Sequence, residues 1–564
     1  MSVEAGQAGG APAGGPPAGD EQTVDVATQS LVRPAAVMAV GTALSRITGL
    51  LRIVAMAAAL GVTESRLADS YNLANTLPIS LYELLLGGIL TSVFVPVMVE
   101  ELRTKPREDA WEAVSAVVTV SLAALAAMSL VVAVAAPWII ELFSSRVEGP
   151  EGAAQADLAG FFLRVFAPQI LLFGFAAIMG GLLNAHGRFA VPMFAPILSN
   201  LVLIAVFGGF ALLVAGVPTN AGVAANDDQK LLLALGTTGG VAALAAIYWP
   251  FVRRLPGRLR VRFDPRHPVV RKIVRLAGWT FLYVVTNTIG LVVSFYLANQ
   301  IQGGITAYVT AFAFFQLPIG IAAVSIVTAL VPRMSAQHVD GDRDAFRASA
   351  SGGMRALALL LLPATAAYLV LADPLIETLL EHGIVRADSV DLVAEVLRLF
   401  ALGLFPFGAF LLCIRAFYAR QDTRTPGLIN VAENGATIGL DFALFPSLGV
   451  KGLALAHTLG YVVGTALAAV LLARRTGGLE LRRTLVEIVK ALVASAVAVA
   501  AMVGVMAGAE SALDPGDLRA LAQLVLGGLA GIAVFGAVAR LVRVEDLSLF
   551  ARLVPARVRA RWSD

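Results

Sequence analysis

The sequence predicts an all-α, polytopic membrane protein with about fourteen transmembrane helices. Of its 564 residues, 58% are hydrophobic and 14% are charged, whereas about a quarter of the residues of a soluble domain are charged. The apolar stretches run for about 20 residues, the length of a spanning helix, while a spanning strand needs about ten residues with strict alternation. Helices, rather than strands, are therefore expected to cross the membrane.

The apolar segments divide the chain into fourteen predicted spans joined by short polar loops. The segment before them, residues 1–30, is rich in Gly, Ala and Pro and contains no Lys or Arg. This composition predicts a disordered tail rather than a secretory signal, so the first span is expected to direct insertion. The spans are predicted near residues 32–60, 70–100, 110–138, 157–185, 189–216, 229–250, 272–300, 304–332, 350–373, 391–418, 425–446, 451–473, 485–508 and 519–541.

Basic residues alternate between successive loops and predict the orientation of the chain. Loops after odd-numbered spans carry at most an isolated base, such as Arg66 or Arg146. Loops after even-numbered spans are rich in Arg and Lys, so these loops and both termini are predicted to be cytoplasmic. The bases of those loops are Arg103, Lys105 and Arg107; Arg253, Arg254, Arg258, Arg260, Arg262, Arg266, Arg271, Lys272 and Arg275; Arg333, Arg343 and Arg347; and Arg474, Arg475, Arg482 and Arg483.

Two pairs of matching motifs indicate an internal repeat of six spans. The second and eighth spans end in similar turns at Pro96 and Pro332, and the fifth and eleventh open on similar turns at Pro192 and Pro426. Both pairs lie about 235 residues apart. Two parallel six-helix lobes suit a transporter that opens to alternate sides, and the alternative is a chance recurrence of Pro near helix ends. The predicted domains are the tail 1–30, an N-lobe 31–250 (spans 1–6), a C-lobe 251–475 (spans 7–12), a C-terminal helix pair 476–545 and a basic cytoplasmic tail 546–564.

Motifs for catalysis or nucleotide hydrolysis are missing from the sequence. It contains no P-loop, no Cys or His metal cluster, no nucleophile elbow and no HExxH helix, so the chain is not expected to be an enzyme. A membrane glycosyltransferase that uses lipid-linked sugars is the main enzyme alternative, but the predicted external loops are short. No nucleic-acid-binding module has room to fold in such loops. The single cysteine, Cys413, lies in an apolar span and is interpreted as a small buried hydrophobe.

Two arginines inside the first span are the strongest indication of function. Arg46 and Arg52 lie within residues 39–60, which are otherwise apolar or small. A charge at the bilayer centre costs about 2.5–3.5 kcal/mol on insertion scales, so it normally faces a water-filled cavity or a partner. Because the guanidinium fork binds phosphate through two parallel hydrogen bonds, the pair predicts an anionic substrate. The alternative is that either arginine reaches a lipid headgroup or pairs with a fixed carboxylate.

Acidic residues of the second span are candidate partners for these arginines. Asp69 opens that span and either caps its N-terminus or takes part in substrate binding. Glu83 lies deeper, where an unpaired carboxylate is costly, and we expect it to pair with an arginine of the first span. Pro78 and the Gly87-Gly88 pair allow the helix to bend, which suits a gate, although close helix packing explains the glycines about as well.

Further polar residues lie within later spans. The fourth span carries Arg164, the eleventh carries Glu433 and Asp441, and the twelfth carries His457 and Thr458. Carboxylate and hydroxyl oxygens near the membrane midplane can bind Na⁺ or a proton that couples transport. A structural ion pair or a headgroup-facing residue at a span end is the alternative, and this pattern alone favours it.

Four motifs follow one another along the chain in a distinctive order and spacing. They are Ser45-Arg46-Ile47-Thr48-Gly49-Leu50-Leu51-Arg52 followed by Leu60-Gly61, Ala68-Asp69 and Leu77-Pro78; Thr91-Ser92-Val93-Phe94-Val95-Pro96; Leu183-Asn184-Ala185-His186-Gly187-Arg188-Phe189-Ala190-Val191-Pro192; and Arg420-Gln421-Asp422-Thr423-Arg424-Thr425-Pro426. Together they resemble the MurJ (MviN) family of the multidrug/oligosaccharidyl-lipid/polysaccharide exporter superfamily, and the last is similar to the RQDxxTP signature of that family. The resemblance covers about residues 31–545.

This resemblance implies a lipid II flippase of the cytoplasmic (inner) membrane, which moves the undecaprenyl-diphosphate disaccharide-peptide of peptidoglycan synthesis between leaflets by alternating access. It implies lipid II, membrane lipids and peptidoglycan synthesis enzymes as partners, and no nucleic acid. Arg46 and Arg52 stand at positions of the family's cationic cavity, Asp69 at that of a functional aspartate, and residues 485–541 at that of a groove for the lipid tail. Together with Glu83, these side chains form the predicted substrate-binding set, and no catalytic residue is predicted.

The sequence departs from the family pattern at three charged cavity positions, which hold Tyr82, Gly87 and Ala313. Either Glu83, Arg164 and other polar groups reshape the cavity, or the diphosphate is held differently. Two related functions remain as alternatives. A flippase for another undecaprenyl-linked glycan would share nearly all these features, and a drug/cation antiporter of the same superfamily would need acidic residues in the first-lobe cavity.

The sodium site of the family maps onto Asp441 and, more loosely, onto Thr437 and Thr458. The resemblance therefore implies Na⁺ as a coupling ion, and no other cofactor is predicted. The membrane potential is the alternative source of energy for resetting the carrier.

Overall fold

The structure, a computed structural model, describes residues 20–83 and 94–544 of the chain. Within these residues it consists of helices joined by short loops, and it contains no β-strand. The predicted all-α fold class is therefore confirmed. The helices are α1 (Asp20–Leu60), α2 (Leu67–Tyr82), α3 (Val95–Thr104), α4 (Arg107–Ser144), α5 (Gly149–Phe166), α6 (Gln169–Ala185), α7 (Ala190–Leu213), α8 (Asn220–Ala225), α9 (Asp227–Val252), α10 (Pro268–Ala298), α11 (Gly304–Pro318), a π-helical turn (Ile319–Ala323), α12 (Val324–Val339), α13 (Arg343–Leu380), α14 (Ala387–Ala401), α15 (Leu404–Ala419), α16 (Arg424–Leu448), α17 (Val450–Thr476), α18 (Leu481–Ala512) and α19 (Asp517–Leu541).

Eleven helical segments of the described residues are long and apolar enough to cross a membrane, or twelve if α14 and α15, which meet at 45°, form one span. The chain is therefore a multi-pass membrane protein. The second predicted span, 70–100, runs through residues 84–93, which lie outside the described residues together with the Gly87-Gly88 pair. The eleventh is the 25-residue helix α16, whose apolar run is interrupted by Glu433 and Asp441. The count of fourteen spans stays a prediction.

The first helix begins earlier than the composition predicts. α1 starts at Asp20, within the segment 1–30 that is predicted to be disordered, so the prediction is wrong for residues 20–30. All Gly and Pro residues of that segment lie within 1–19. The remainder contains neither and opens on Asp20 and Glu21, whose negative charge favours a helix N-terminus. An average over thirty residues conceals this change in composition.

The helices pack as two groups with a further pair attached. Helices α1, α7 and α9 pack together, and α2 to α6 complete the first group with the short α8. Helices α10 to α17 form the second group, in which α16 packs on both α10 and α17. The last two helices, α18 and α19, pack on each other and on α13. We call the first group the N-lobe and the second the C-lobe.

Two turns on the predicted cytoplasmic side have matching backbone conformations, in line with the predicted internal repeat. The N-lobe turn between α6 and α7 has Gly187 at a φ of 71°, and the C-lobe turn between α15 and α16 has Gln421 at a φ of 59°. In each turn the amide of the next residue donates to the carbonyl of the residue five positions earlier. The bond runs from Arg188 to Leu183 (2.9 Å) in the N-lobe and from Asp422 to Phe417 (3.0 Å) in the C-lobe. Both helices thus end in a Schellman motif with one left-handed residue, as expected for two copies of one unit.

The motif that resembles RQDxxTP fixes the start of α16. Asp422 accepts hydrogen bonds from the backbone amide (3.0 Å) and the hydroxyl (2.7 Å) of Thr425. It also forms an ion pair with Arg475 at the end of α17, 2.9 Å away. Burial alone would raise the pKa of Asp422, but the hydrogen bonds from Thr425 and the charge of Arg475 outweigh it and lower the pKa. In this chain the motif therefore stabilises the turn between α15 and α16.

Candidate substrate cavity

A cavity of about 480 Å³ lies between α1, α7 and α11, at the interface of the two lobes. At 1.5 Å per residue, Arg52 lies about 12 Å and Arg46 about 21 Å from the predicted external end of α1 at Leu60. The cavity therefore occupies the middle of the predicted membrane and extends toward the predicted cytoplasmic side. Its lining residues are Thr42, Ser45, Arg46, Gly49, Leu50, Arg52 and Ile53 of α1, Pro192, Met193 and Pro196 of α7, and Ala313, Gln316 and Leu317 of α11.

Both first-span arginines line this cavity. Arg46 is exposed and Arg52 is half-buried. Neither takes part in an ion pair within residues 20–83 and 94–544. The alternative of a fixed carboxylate partner therefore has no support in the described part of the chain. Two guanidinium groups that share one cavity between the lobes can bind an anion.

The C-lobe wall of the cavity is neutral, with Ala313 and Gln316 facing the arginines. Beyond them, the π-helical turn brings Gly320 against Arg46, and a Cβ atom at Gly320 would lie 2.6 Å from Nη2 of Arg46. Arg46 therefore reaches across the lobe interface because position 320 has no side chain. Sequence reasoning missed this contact, although Pro318 followed by Gly320 within an apolar span is a signal for an irregular helix.

Asp69 lies outside this cavity and joins the two lobes. Its side chain is completely buried, and it accepts hydrogen bonds from the amide of Gly303 (2.7 Å) and from the amide (2.9 Å) and hydroxyl (2.8 Å) of Thr306. The expectation that it caps its own helix is wrong, because Arg66 is the N-cap residue of α2. Asp69 instead caps α11 of the other lobe, where the positive end of the helix dipole favours a carboxylate.

Further hydrogen bonds close the lobes on the predicted external side. The N-lobe loop 61–66 contacts the C-lobe loops that follow α10 and α13. Gly303, at a φ of 77°, approaches this loop so closely that a Cβ atom would lie 2.7 Å from the carbonyl of Val62. The other contacts run from Arg66 to the Asn299 carbonyl (2.9 Å), from Gln302 to the Thr63 carbonyl (2.7 Å), from the Arg386 amide to Glu64 (2.7 Å) and from the Thr63 amide to Ser389 (3.0 Å).

The predicted cytoplasmic side is joined differently. There Lys272 of α10 forms an ion pair with Glu100 of α3 over 2.8 Å, and both side chains are about half exposed to solvent. An exposed pair of this kind contributes about 0–1 kcal/mol. The lobes are thus closed on the predicted external side, and the cavity lies on the predicted cytoplasmic side of that closure.

Two further residues of the sequence prediction lie away from the cavity. Glu83 is exposed and forms no ion pair with Arg46 or Arg52, so the expected pairing is absent from the described part of the structure. Arg164 is exposed on α5 and does not line the cavity. Neither side chain reshapes the cavity in this conformation.

The three departures from the family pattern have different surroundings. Ala313 lines the cavity, so the missing charge leaves the C-lobe wall neutral. Tyr82 stacks on Phe173, with ring centroids 5.8 Å apart. Gly87 lies outside the described residues. In this chain the positive charge of the cavity therefore comes from the N-lobe wall.

The sodium site that the family resemblance implies lies in the C-lobe, and its residues Thr437 and Asp441 are on one face of α16. Glu433, Thr437 and Asp441 follow one another at four-residue intervals and are all buried. The Thr437 hydroxyl donates to Glu433 (3.2 Å), and Ser294 of α10, which the sequence did not single out, donates to Oδ2 of Asp441 (2.9 Å). Oδ1 of Asp441 is buried without a hydrogen-bond partner. Such an atom costs about 1–3 kcal/mol, so a bound cation or a proton is expected there.

Thr458 and His457 occupy the neighbouring helix α17 in different environments. The Thr458 hydroxyl donates to the carbonyl of Leu399 over 2.8 Å, which leaves its oxygen lone pairs available. His457 packs in an aromatic cluster rather than beside the carboxylates. The rings around it are Phe312, Phe315, Phe400 and Tyr461.

Several known proteins are similar to this chain. The family model described as lipid II flippase MurJ matches residues 56–521. The probable lipid II flippase MurJ of Rhizobium meliloti (strain 1021) is 29% identical over 531 residues, which cover 93% of this chain and 96% of that protein. The lipid II flippase MurJ of Burkholderia cenocepacia is 30% identical over 447 residues, 76% of this chain and 81% of that protein. A solved structure of lipid II flippase MurJ in an inward closed conformation has the same fold, with a TM-score of 0.72 at 21% identity, and covers 90% of this chain and 99% of that one.

Proposed function

Since the chain belongs to the MurJ family of lipid II flippases, we propose that it moves lipid II from the inner to the outer leaflet of the cytoplasmic membrane by alternating access. This is a transport function in peptidoglycan synthesis and cell wall biogenesis, and it needs no catalytic residue. One observation carries the proposal at the level of residues. Arg46 and Arg52 face a single cavity between the lobes without a carboxylate partner in the described part of the chain.

The diphosphate is the part of lipid II that such a cavity would recognise. A guanidinium group stays protonated even in a partly dry site and donates paired hydrogen bonds to phosphate oxygens. Two of them offset the charge that makes a diphosphate costly to move through the membrane interior. Polar groups of the same cavity, Thr42, Ser45 and Gln316, can bind the uncharged disaccharide.

Release on the other side requires the external closure to open. The closure depends on Asp69 and on loop 61–66. Each hydrogen bond there makes a net contribution of about 0.5–1.5 kcal/mol to its stability. A ligand shifts such an equilibrium only by its difference in affinity for the two states. We propose that bound lipid II favours the externally open state and that Lys272 and Glu100 belong to the opposing contacts on the cytoplasmic side.

The undecaprenyl tail is proposed to stay in the bilayer beside the C-terminal helix pair. The two helices present exposed apolar side chains along their length, which suits contact with lipid. These include Leu485, Val489 and Leu492 of α18 and Leu521, Val525 and Leu529 of α19. With the orientation predicted from the basic loops, the tail would enter from the inner leaflet.

We further propose Na⁺ as the coupling ion, held by Asp441 with Thr437 and Thr458. The donor set fits a hard cation, because it consists of a carboxylate and hydroxyl oxygens. The buried Oδ1 of Asp441 has no hydrogen-bond partner, and Thr437 lies one helical turn before it. When bound, Na⁺ would supply the positive charge that a buried carboxylate needs. Ser294 would then orient the carboxylate through its bond to Oδ2.

The proposal is tested by removing each guanidinium group in turn. Arg46→Ala and Arg52→Ala are each expected to abolish growth of a strain depleted of its own flippase, since a hydrogen bond to a charged group is worth about 1.5–3 kcal/mol and each guanidinium makes more than one. Arg164→Ala is the matched control, because it removes the same charge from an exposed position outside the cavity. The amount of protein in the membrane is measured for all three variants.

A second measurement separates lipid II from other lipid-linked glycans. After acute depletion of the protein, lipid II should become less accessible to an externally added degrading enzyme, and the wild type and Arg164→Ala should restore its accessibility. Normal growth of both cavity variants would contradict the diphosphate site. Unchanged accessibility of lipid II would instead indicate that the protein moves a different glycan.

A further inference from the structure

A second basic region lies on the predicted cytoplasmic face, apart from the cavity between the lobes. Residues 253–267 link α9 of the N-lobe to α10 of the C-lobe. Between residues 253 and 275 nine residues are Arg or Lys and one, Asp264, is acidic. This charge exceeds what orientation in the membrane requires, and the proposed transport mechanism does not use it.

The linker runs as an extended strap, residues 257–264, along the cytoplasmic end of α4. The amide of Arg260 donates to the Ser115 hydroxyl (3.1 Å), and the amide of Arg262 donates to the Thr119 hydroxyl (3.0 Å). Two residues of extended chain cover about 6.6 Å, which matches the rise of about 6 Å over four helical residues. The backbone thus attaches the strap to α4, and most of its side chains remain available to other molecules.

Gly257 starts the strap in close contact with α4. A Cβ atom at this position would overlap the indole ring of Trp111, at a separation of less than 2.5 Å. The buried Trp111 therefore fixes where the strap begins. The path of the strap is a built feature of the fold rather than a loose loop.

The far end of the strap lies at the depth of the lipid headgroups. Thr119 precedes Ser144, the predicted external end of α4, by 25 residues or about 37 Å. A bilayer is about 40–45 Å thick with its headgroups and about 30 Å thick without them. Beside Thr119, Val261 is 94% and Phe263 is 67% exposed. Exposed apolar side chains at this depth can reach the boundary between the lipid headgroups and the acyl chains.

A cavity of about 690 Å³ separates part of the strap from α4. Three arginines that line it form no ion pair within the described residues: Arg107, Arg258 and Arg260. A fourth, Arg262, pairs with Glu112, and Glu108 is the other acidic residue of the lining. The cavity therefore has an excess of positive charge and suits an anion.

We propose that the strap and α4 form a binding site for an anionic phospholipid of the cytoplasmic leaflet. Arg107, Arg258 and Arg260 hold its phosphate group, and Val261 and Phe263 contact its acyl chains. A basic side chain near an anionic membrane surface contributes about fivefold in affinity. Because the strap is the covalent link between the lobes, the bound lipid ties that link to the membrane surface. This lipid is distinct from the transported substrate.

The test uses the full-length protein in detergent and native mass spectrometry. Phosphatidylglycerol and phosphatidylcholine with the same acyl chains are added together in equal amounts. The protein should retain phosphatidylglycerol preferentially, and Arg258→Gln combined with Arg260→Gln should lower that retention up to about 25-fold. The control combines Arg333→Gln with Arg343→Gln, which removes the same charge from exposed cytoplasmic positions and should leave the retention unchanged. Phe263→Ser should lower retention of both lipids to a smaller extent.

Two results would overturn the proposal. Equal loss of phosphatidylglycerol from the strap variant and from the control would show a diffuse charge effect. Displacement of the lipid by inorganic phosphate at equal concentration would show a site for free phosphate, whereas retention of the lipid in its presence supports the membrane source. Both readouts are independent of lipid II transport.

Discussion

The two lobes arise from one repeated unit but distribute their charges in opposite ways. The N-lobe wall of the cavity carries Arg46 and Arg52, and the facing C-lobe wall is neutral at Ala313. The C-lobe instead buries two carboxylates, Glu433 and Asp441, inside its own helix bundle. One lobe therefore presents positive charge to the shared cavity, and the other encloses negative charge.

This difference suggests a division of labour between the lobes. A charge that faces a shared cavity can bind a substrate that must later be released, because the cavity opens. A carboxylate inside one lobe can hold a small cation without exposing it to the substrate. The contacts between the lobes that link these two regions include Asp69 on the predicted external side and Gly320 beside Arg46.

The largest expected effect breaks the junction between the lobes. Asp69→Asn replaces a carboxylate that accepts three hydrogen bonds with an amide that cannot accept all of them. The loss of about 2 kcal/mol from the external closure should raise the population of the externally open state about 30-fold. The readout is the labelling rate of a cysteine introduced by Thr76→Cys, at the lobe interface below Asp69, with a maleimide that cannot cross the membrane.

The background of this experiment is low because the single native cysteine, Cys413, is buried. Asp373→Asn is the matched control. It removes a carboxylate on the same predicted face, but the partner of Asp373 is Arg398 of the same lobe. A similar increase in labelling for both variants would mean that Asp69 has no special role in joining the lobes.

A smaller effect is expected from removing the enclosed negative charge of the C-lobe. Asp441→Asn should abolish the stabilisation of the protein by Na⁺, which is about 1.4 kcal/mol at a concentration of about ten times Kd. Thermal unfolding in Na⁺ and in choline measures this difference. Glu433→Gln serves as the comparison, since both oxygens of Glu433 already accept hydrogen bonds, from Thr437 and Asn434. The sodium site would be refuted if Asp441→Asn kept the full sodium-dependent stabilisation.

A third effect is expected at the contact between Arg46 and the C-lobe. Gly320→Ala places a methyl group where the guanidinium of Arg46 now lies, and the flexible arginine is expected to move. Flipping of a reconstituted lipid II should fall about three- to tenfold, less than for Arg46→Ala, while thermal stability changes little. Gly439→Ala is the control, because a methyl group there meets no atom within 4 Å. Equal transport by both glycine variants would rule out a positioning role for Gly320.

Features that depend on residues close together in the sequence could be predicted. Apolar runs and alternating basic loops predict membrane helices, and Arg46 and Arg52 are recognisable as charges within one such run. The partners of Asp69 could not be predicted, since Thr306 is 237 residues away and belongs to the other lobe. The contact of Gly320 with Arg46 and the attachment of the strap to α4 likewise depend on which distant helices pack together. The start of α1 was missed for a local reason, the averaging of a mixed segment.

The smallest effect concerns the paired turns that reveal the repeat. The N-lobe turn uses Gly187, whereas its C-lobe counterpart places Gln421 in the left-handed region, at a cost of about 1–2 kcal/mol. Hydrogen bonds from Thr425 to Asp422 and the pair with Arg475 offset this strain. Asp422→Asn should therefore lower the free energy of unfolding near neutral pH by about 1 kcal/mol.

The pH dependence of this effect follows from the lowered pKa of Asp422. Its folded pKa lies below the unfolded value of about 4, so its stabilisation is complete above about pH 4 and is lost as the pH falls through the lower, folded value. Thermal unfolding of the wild type between about pH 6 and about pH 3 should show this acid-dependent loss, and Asp422→Asn should lack it. Asp340→Asn, at an exposed acid in the preceding turn on the predicted cytoplasmic side, should behave like the wild type. If Asp422→Asn and the wild type lose stability equally on acidification, the hydrogen bonds of Asp422 do not stabilise the C-lobe turn, and another contact must offset the strain at Gln421.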